Sequence, residues 1–392
     1  MGKKLLYVAM VPNFHVANDI QLFEKAGYSV VAVLNTYKQG NVFNGVETLP
    51  SFRRIINLYE DCGLWMSKGF PLSKVILHSM GALKQRIRRV LKDLHPVDFI
   101  YCSWDDSVIP EAIAIKKAFP EYPIIFRFLM YPSSFSRYMV VLENLYCRNK
   151  IPLLDGRIFA SDQMCQYMAK AFDLQTNGKN KIFMEYLSET YFHKQRLPPL
   201  SENDGEPHLV FIGTGDFRRC PENDVRRPIE EIADKGIHIH LVTPNLPMMK
   251  SRFIHFFPYI APGQQFADFL TQFDGVIILY NLSKRPCTHR LNNVFPNRFT
   301  WALTGGIPVI LASGQLKACE AFGKEHGISL TFDTAEELKL VLKNRAYMSE
   351  VRQNTQQKCR NFTYENNFHR LQDFIEEVCL NKTVHYCGAR SL

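Results

Sequence analysis

Residues 297–310 read NRFTWALTGGIPVI, and this stretch is the strongest indication of the fold. The pattern predicts a short helix over 297–303 that stops at Gly305 and Gly306 and passes into a buried strand over 307–312. Free backbone amides at the start of such a helix attract phosphate, and Arg298 in the first turn adds positive charge. The stretch therefore predicts an α/β domain with an anion site at the helix start.

Alternating strand and helix signals continue on both sides of this junction. In the C-terminal half, strands are predicted at 208–213, 237–242 and 275–280, and helices at 226–235, 266–273 and 336–343. In the N-terminal half, strands are predicted at 4–10, 29–34, 98–102, 123–128 and 155–160, and helices at 18–26, 109–119 and 161–172. Such alternation predicts parallel sheets with helices on both faces.

A Pro-rich segment separates the two alternating halves. Residues 193–207 contain two adjacent prolines followed by Glu, Asn, Asp and Gly, which is the composition of a linker. At 392 residues the chain also exceeds the usual size of a single core. We predict an N-terminal domain over 1–195 and a C-terminal domain over 206–360, with a helix near 362–380 that packs back towards the first domain.

Composition excludes several classes of protein. Hydrophobic residues make up 46% and charged residues 22% of the chain, which is typical of globular domains and not of disorder. The apolar run at 5–11 ends at Pro12 without a cleavage site, which predicts a buried strand and not a secretory signal. No apolar stretch reaches the roughly 20 residues of a membrane span. Ten cysteines without CxxC pairs predict reduced thiols in a cytoplasmic protein.

The net charge of +9 favours anionic partners. The stretch 83–94, LKQRIRRVLKDL, carries apolar residues at helical spacing with basic residues between them, which predicts a basic amphipathic helix. Two interpretations fit it: an ordinary surface helix, or a peripheral contact with an anionic membrane face. Nucleic acid is not expected as a partner, because the positive charge is not concentrated in one arm or interleaved with aromatic residues on one helix.

A second candidate for phosphate binding is the stretch 209–219, LVFIGTGDFRR. A buried strand ends in a loop where Gly213 and Gly215 let backbone amides approach a ligand closely. Arg218 and Arg219 follow at the carboxyl end of the strand, where open α/β sheets bind ligands, and arginine can grip a diphosphate with two nitrogens. The competing interpretation is a glycine turn with two solvated arginines.

Taken in order, these segments resemble the C-terminal domain of GT-B glycosyltransferases, particularly the retaining family-four group and its relatives. A glycine loop with basic residues at 209–219 is followed by an aromatic strand at 253–259 and by an apolar strand at 274–280. In the family these elements are followed by a helix-to-strand junction with a characteristic sequence, and here NRF at 297–299 and GIPV at 306–309 match it at the same spacing. Segments of the N-terminal half at 98–115, 123–130 and 152–172 are similar to that fold as well. The resemblance implies an α/β chain of two tandem Rossmann-like domains with an interdomain cleft.

The resemblance also implies an activity. Such enzymes move a sugar from a nucleotide-sugar donor to an acceptor, here a saccharide or a lipid-linked acceptor, in surface glycan biosynthesis. Basic side chains and a helix N-terminus stabilise the leaving phosphate, so neither a metal nor a cofactor is expected. Arg218, Arg219 and Arg298 are the candidates for that role, and Asn297 anchors the junction. The further donor-binding candidates are Gly213, Gly215, Gly305 and Gly306 by backbone approach, and Lys284, Arg285 and Arg290 by charge.

If transfer inverts the anomeric centre, it needs a general base in the N-terminal domain. Asp105 and Asp106, directly after a predicted strand, are the leading candidates, followed by His15 after the first strand; an ordinary loop role competes with each. The Asp pair has no third acidic or His ligand at a suitable spacing, so no metal site is predicted. His238 and His240 alternate on a strand and are interpreted as packing and surface residues.

The sequence departs from the family at several positions, and Trp301 is the one that bears most directly on donor binding. Five residues before the glycine of GIPV the family usually places a Glu that holds the donor ribose, and here that position is Trp301. An unusual donor, a divergent branch and a lost activity all fit this change. Two other functions stay open: a sugar-nucleotide epimerase of the same fold, and a non-catalytic α/β module that binds nucleotide sugars.

Overall fold

The structure is a computed structural model, and it describes residues 3–10, 14–34, 55–57, 81–92, 96–104, 106–175, 178–213, 221–243, 249, 251–261, 263–283 and 287–388. The chain divides into two compact units. The first comprises Met1–Met184 together with Phe368–Leu392, and the second comprises Glu185–Asn367.

The first unit is built on one seven-stranded sheet in the order β3-β2-β1-β4-β5-β6-β7. Its strands are β1 Lys4–Ala9, β2 Ser29–Leu34, β3 Ile55–Asn57, β4 Phe99–Trp104, β5 Ile124–Phe128, β6 Gly156–Phe159 and β7 Asn180–Ile182. Its helices before the second unit are α1 Phe14–Lys25, α2 Ala82–Leu91, α3 Ile109–Ala118, α4 Arg137–Cys147 and α5 Asp162–Phe172. All strand pairs are parallel.

The second unit repeats this plan on a six-stranded sheet in the order β10-β9-β8-β11-β12-β13. Its strands are β8 His208–Ile212, β9 His238–Val242, β10 Ile254–Phe257, β11 Gly275–Ile278, β12 Val309–Ala312 and β13 Ser329–Phe332, again all parallel. Its helices are α6 Ser201–Asp204, α7 Arg226–Ala233, α8 Gln264–Leu270, α9 His289–Asn292, α10 Asn297–Gly305, α11 Lys317–His326, α12 Ala335–Lys343 and α13 Arg345–Lys358.

The central strands are buried on both faces, which explains their continuous apolar sequences. Every residue of β5 and β11 is buried, and so are all residues of β1 after Lys4. A parallel sheet covered by helices on both sides leaves no polar face, so its strands lose the alternating pattern of exposed sheets. The two parallel sheets predicted from strand–helix alternation are therefore confirmed.

In both units the strand order reverses next to the first strand. The chain moves outwards from β1 to β3 and then returns to β4 on the other side of β1, and it does the same from β8 to β10 and then to β11. Open α/β sheets bind ligands at the carboxyl ends of the two strands that flank such a switch point. In these units the flanking pairs are β1 with β4 and β8 with β11.

The division between the units lies earlier than the boundary expected at residue 195. The backbone N–H of His193 donates to the carbonyl of Thr304 at 3.0 Å, and Leu187 forms a parallel bridge with Thr363. Both partners belong to the second unit, so these contacts hold residues from Glu185 onwards within it. The predicted linker includes the short helix α6.

The helix expected near 362–380 is α14, Tyr364–Gly388. Its residues from Phe368 belong to the first unit. There the Phe368 ring meets the Phe23 ring edge-on at 5.3 Å, and Lys3 Nζ lies 2.7 Å from Glu376 Oε1. A methyl group built on Gly156 would lie 3.0 Å from Val378 Cγ2, so β6 begins with a glycine at a point where α14 packs closely on the sheet. No helix among the described residues is both long enough and apolar enough to cross a bilayer.

Candidate functional site

The switch point of the second sheet brings together two of the predicted donor-binding residues. Gly213 directly follows β8, and Arg298 lies in the first turn of α10. A methyl group built on Gly213 would lie 3.2 Å from Arg298 Nη2 and 2.8 Å from Phe211 Cε1. Glycine at 213 therefore leaves the room that the Arg298 guanidinium occupies.

Aromatic rings and a carbonyl hold the Arg298 guanidinium in this place. Its Cζ lies 4.5 Å from the centre of the Phe211 ring and 5.0 Å from the centre of the Tyr280 ring. Its Nη1 donates a hydrogen bond to the Leu279 carbonyl at 3.2 Å. Phe211 belongs to β8, and Leu279 and Tyr280 follow β11, so the cation lies across the carboxyl ends of both strands at the switch point.

The electrostatics of this position favour an anionic ligand. Burial lowers the pKa of Arg298 and raises the pKa of Tyr280. An arginine starts from a pKa so far above neutrality that it keeps its charge. Among the residues that the structure describes, no carboxylate forms an ion pair with Arg298. A partly buried cation without a negative partner is costly, and binding an anion would offset that cost.

The start of α10 adds backbone donors next to this cation. Pro296 precedes the helix in an extended conformation, and no side chain caps the helix start. Asn297, the first helical residue, is exposed. Its carbonyl accepts a hydrogen bond from Thr300 Oγ1 at 2.9 Å. The uncapped helix start therefore offers backbone N–H groups beside Arg298, as the sequence predicted.

Arg290 and Gln315 lie near the same edge of the sheet. Arg290 is in α9, half-buried, and its charge counteracts the rise in the pKa of Tyr280, which places it near that ring. The side-chain oxygen of Gln315, after β12, accepts a hydrogen bond from the Tyr280 backbone N–H at 3.2 Å. Gln315, Phe211 and Tyr280 were not predicted as site residues. Each lies at or shortly after the carboxyl end of a predicted strand, which is the signal in the sequence that could have indicated them.

Gly305 and Gly306 lie at the opposite end of α10 from Arg298. The helix has nine residues, so its ends are roughly 13 Å apart. A methyl group on Gly305 would lie 2.8 Å from Leu270 Cβ, and Gly306 ends the helix with a positive φ of 61°. This placement does not support the predicted donor contact, because the two glycines serve helix packing and helix termination.

Trp301, which replaces the family's usual Glu, is buried in the second unit. Its ring meets the Tyr191 ring at 5.8 Å and the Phe266 ring at 5.6 Å, both edge-on. The side chain is 4% exposed, so it is part of a hydrophobic core. The position consequently presents no carboxylate to a ribose.

The candidate bases belong to the switch point of the first sheet. His15 is the second residue of α1 and half-buried, so it lies in a helix and not in the loop expected from the sequence. Asp106 begins a short 3-10 turn that follows β4. Ser107 Oγ donates to Met10 Sδ at 3.3 Å, which joins the segments after β1 and β4. The structure thus brings the two predicted segments to one edge of the sheet.

Several predicted residues lie outside the part of the chain that the structure describes. These are Asp105, Gly215, Arg218, Arg219, Lys284 and Arg285, and the side chain of Asp106 also lies outside it. Their roles stay predictions. Of the basic stretch 83–94, the structure describes residues 83–92, and those up to Leu91 lie in α2. Ile87 and Leu91 are buried, whereas Arg88 and Arg89 are exposed.

No protein-family model matches the chain. Among curated proteins, a stretch of 104 residues is 30% identical to the endoplasmic reticulum-type calcium-transporting ATPase 2 of Arabidopsis thaliana. That stretch covers 23% of this chain and 10% of the ATPase. Because the chain spans so small a part of that protein, the match carries no argument about activity.

Solved structures, by contrast, match over almost the entire chain. Sucrose-phosphate synthase from Thermosynechococcus elongatus superposes with a TM-score of 0.63 at 12% identity, over 99% of each chain. A glycosyltransferase from Rickettsia africae gives 0.63 at 10% identity, over 96% of this chain and 99% of the other. Anabaena HepE, solved with UDP and glucose, gives a TM-score of 0.61 at 14% identity, over 95% of this chain and 99% of the other. At these identities the likeness establishes the fold, and it confirms the predicted GT-B arrangement of two Rossmann-like domains.

Proposed function

We propose that this chain is a glycosyltransferase that moves a sugar from a nucleotide-sugar donor to a saccharide or lipid-linked acceptor. The observation that carries the proposal is the placement of Arg298, a half-buried cation in the first turn of α10. Its guanidinium lies beside Gly213 at the switch point of the second sheet, and the start of its helix is uncapped. The likeness over almost the whole chain to a solved glycosyltransferase and to HepE, which was solved with UDP and glucose, supports the same assignment.

In the proposed reaction the bond between the anomeric carbon and the donor phosphate oxygen breaks. A bond forms between that carbon and an acceptor oxygen, and negative charge develops on the leaving nucleotide. Arg298 and the first amides of α10 would stabilise this charge where it appears, with Arg218 and Arg219 as further cations. Because these groups are already positive, we propose that the transfer needs no metal ion and no cofactor.

For an inverting reaction, the acceptor hydroxyl must pass its proton to a base. We assign this role to the edge of the first sheet where the segments after β1 and β4 meet, with Asp105, Asp106 and His15 as the candidate groups. In a retaining reaction the same edge would bind the acceptor without accepting its proton.

A thermal-shift screen tests the donor half of the proposal. Full-length protein is heated with UDP-, GDP-, ADP-, CMP- and dTDP-linked sugars, since a ligand that binds only the folded chain raises its melting temperature. We expect a rise with at least one donor and its loss in Arg298→Met. A flat response to every donor would contradict both the transferase and the nucleotide-sugar-binding alternative.

Turnover then separates the remaining alternatives. A transferase releases stoichiometric nucleotide only when an acceptor is added, whereas an epimerase converts the donor without any acceptor. A non-catalytic binding module shows the thermal shift and neither reaction. The burial of Trp301 at the family's ribose-binding position makes the turnover assay necessary, because binding without catalysis would fit that change.

We further propose that the protein acts in the cytoplasm, in surface glycan biosynthesis, at the inner face of the membrane. All cysteines whose side chains the structure describes are free thiols, which fits a reducing compartment. Since α2 buries Ile87 and Leu91, its membrane contact would be electrostatic, through Arg88 and Arg89. Binding to anionic but not to neutral vesicles, and its loss in Arg88→Ser/Arg89→Ser, would support this contact; equal binding to both vesicles would contradict it.

A further inference from the structure

Four histidines lie together at the amino edge of the second sheet, away from Arg298. His208 begins β8, His238 and His240 lie on β9, and His255 lies on β10. In the strand register His208 pairs with His238 and His240 pairs with His255. Since residues two apart on a strand share a face, all four side chains lie on one face of the sheet.

A carboxylate completes the cluster. Asp204, the last residue of α6, places Oδ2 3.0 Å from His208 Nε2 and 3.6 Å from His238 Nε2. All three potential ligand atoms lie within 4.8 Å of one another. In a tetrahedral zinc site with bonds of about 2.0–2.1 Å, neighbouring ligand atoms are about 3.3 Å apart. The two Asp204–His distances, 3.0 and 3.6 Å, therefore lie on either side of the distance between neighbouring ligand atoms in a tetrahedral zinc site.

The far nitrogen of each ligand histidine is held by another histidine. His208 Nδ1 lies 2.8 Å from His240 Nε2, and His238 Nδ1 lies 2.7 Å from His255 Nε2. Ligand histidines in metal sites almost always have such a hydrogen bond on their second nitrogen, which orients the ring. Here it directs both Nε2 atoms towards Asp204.

The backbone beneath the cluster is fixed as well. The His208 N–H donates to Asp274 Oδ2 at 2.8 Å, and the Glu206 N–H donates to Asp204 Oδ1 at 3.0 Å. Both Asp204 oxygens contact His208 Nε2, Oδ1 at 3.2 Å and Oδ2 at 3.0 Å, and Oδ2 also lies 3.6 Å from His238 Nε2. The Asp204 side chain is 41% exposed, whereas that of His208 is 8% exposed, so the cluster is open to solvent on the carboxylate side.

We propose that Asp204, His208 and His238 bind one divalent transition-metal ion, with Zn²⁺ the best match and a solvent molecule as fourth ligand. Two imidazoles and one carboxylate suit Zn²⁺, Co²⁺ or Ni²⁺, whereas Mg²⁺ and Ca²⁺ prefer sites made of oxygen atoms. The His208 and His238 rings are stacked at 4.3 Å and 6° from parallel. Binding therefore requires each ring to tilt until its Nε2 lone pair points at the ion, and His240 and His255 must shift with the Nδ1 atoms that they contact.

The ion would have a structural role. It would tie α6 to β8 and β9 at one edge of the sheet, while Arg298 lies at the other edge. A five-residue strand such as β8 spans roughly 16 Å, so the ion would not contact the donor phosphates. The inference is therefore independent of the proposed transferase activity and of its proposed independence from metals.

Isothermal titration of full-length, EDTA-treated protein with Zn²⁺ tests the proposal. We expect one ion per chain and a rise in melting temperature, and Co²⁺ should give the intense visible absorption of a four-coordinate site. Asp204→Asn, an exposed and nearly isosteric change, should abolish this binding. His255→Phe, which removes a second-nitrogen contact, should weaken it about 10- to 100-fold.

His369→Gln is the matched control, because His369 is exposed on α14 outside the cluster. It should bind Zn²⁺ as the unchanged protein does. Circular dichroism confirms that each variant is folded before titration. Absence of stoichiometric binding by the unchanged chain would overturn the proposal, and so would binding that survives Asp204→Asn, since the ion would then lie elsewhere.

Discussion

Arg298 lies over the Phe211 ring with 4.5 Å between its Cζ and the ring centre, at the edge of the second sheet where β8 and β11 end. The ring supports the guanidinium from one side, so the cation is held in place before a ligand binds. Such preorganisation means that little side-chain entropy is lost when a phosphate binds.

The first prediction concerns that cation. Arg298→Met keeps an apolar stem on Phe211 and removes the charge. A hydrogen bond to a charged group contributes about 1.5–3 kcal/mol, so we expect the Kd for the donor nucleotide to rise about 10- to 100-fold. Calorimetric titration measures this change. Arg227→Ala, an exposed arginine on α7, is the control and should leave the Kd unchanged; a similar loss in both variants would mean that the effect is not local.

The second prediction concerns the space beside Arg298. Gly213→Ala introduces a methyl group 2.8 Å from Phe211 Cε1 and 3.2 Å from Arg298 Nη2. Both contacts are too short, so the ring or the guanidinium must shift and nucleotide binding should weaken. Gly263→Ala is the matched control, because a methyl group there meets no atom within 4 Å. The idea fails if the two variants bind the nucleotide equally well.

The third prediction concerns the core of the first unit. Arg127 Nη1 lies 2.8 Å from Asp19 Oδ1, and both side chains are almost completely buried. Arg127→Met leaves the Asp19 carboxylate without its cation, so the free energy of unfolding should fall by about 3–5 kcal/mol in urea denaturation.

The double variant Asp19→Asn/Arg127→Met is the test of this interpretation. It removes both charges, and the amide oxygen at position 19 can still accept the hydrogen bond that the Tyr7 hydroxyl donates to Asp19 at 2.6 Å in the unchanged protein. We expect it to be more stable than Arg127→Met alone. If it is no more stable, the loss comes from packing and not from an unpaired charge.

The fourth prediction concerns pH. Burial holds the pKa of His193 below its usual value, assisted by the charges of Arg196 and Arg360 and opposed by Asp268 and by its Nδ1 contact with the Thr304 carbonyl at 3.0 Å. The unfolded chain therefore takes up this proton first as the pH falls below about 6.5. The contribution of His193 to the free energy of unfolding should therefore be fully present well above that pH. Below it, the free energy of unfolding should decline by at most about 1.4 kcal/mol per pH unit because of this group.

His193→Asn isolates this contribution, because its amide keeps a donor for Thr304 without titrating. Between about pH 7.5 and about pH 5.5, one unit to either side of the ordinary histidine pKa, the melting temperature should fall less steeply for the variant than for the unchanged protein. Parallel curves would assign the acid sensitivity to other groups.

The local sequence predicted those parts of the fold that depend on neighbouring residues. The helix start at Asn297, its stop at Gly306 and the strand that follows are set by residues within a few positions of one another. The parallel direction of the buried strands was also predictable, because a helix between two successive strands returns the chain to the same edge of the sheet. The donor candidates Gly213 and Arg298 were predicted from their positions after a strand and in the first turn of a helix, and the structure brings them into contact.

Features that depend on which strands pair were not predicted. His208, His238 and His255 are far apart in the sequence, and they meet only because β8, β9 and β10 are neighbours in register. His238 and His240 were therefore interpreted without their partners. The sequence predicts Gly305 as a donor contact, because a small residue next to a strand fits either backbone approach or helix packing, and in the structure Gly305 lies close to Leu270.

The packing of α14 on Gly156 has a consequence for how the protein is made. Residues 368–378 complete the first unit, yet they are translated only after the whole of the second unit. When residue 184 leaves the ribosome, the sheet of the first unit is therefore not yet covered by α14, and the face at Gly156 stays uncovered until residues 368–378 have been synthesised.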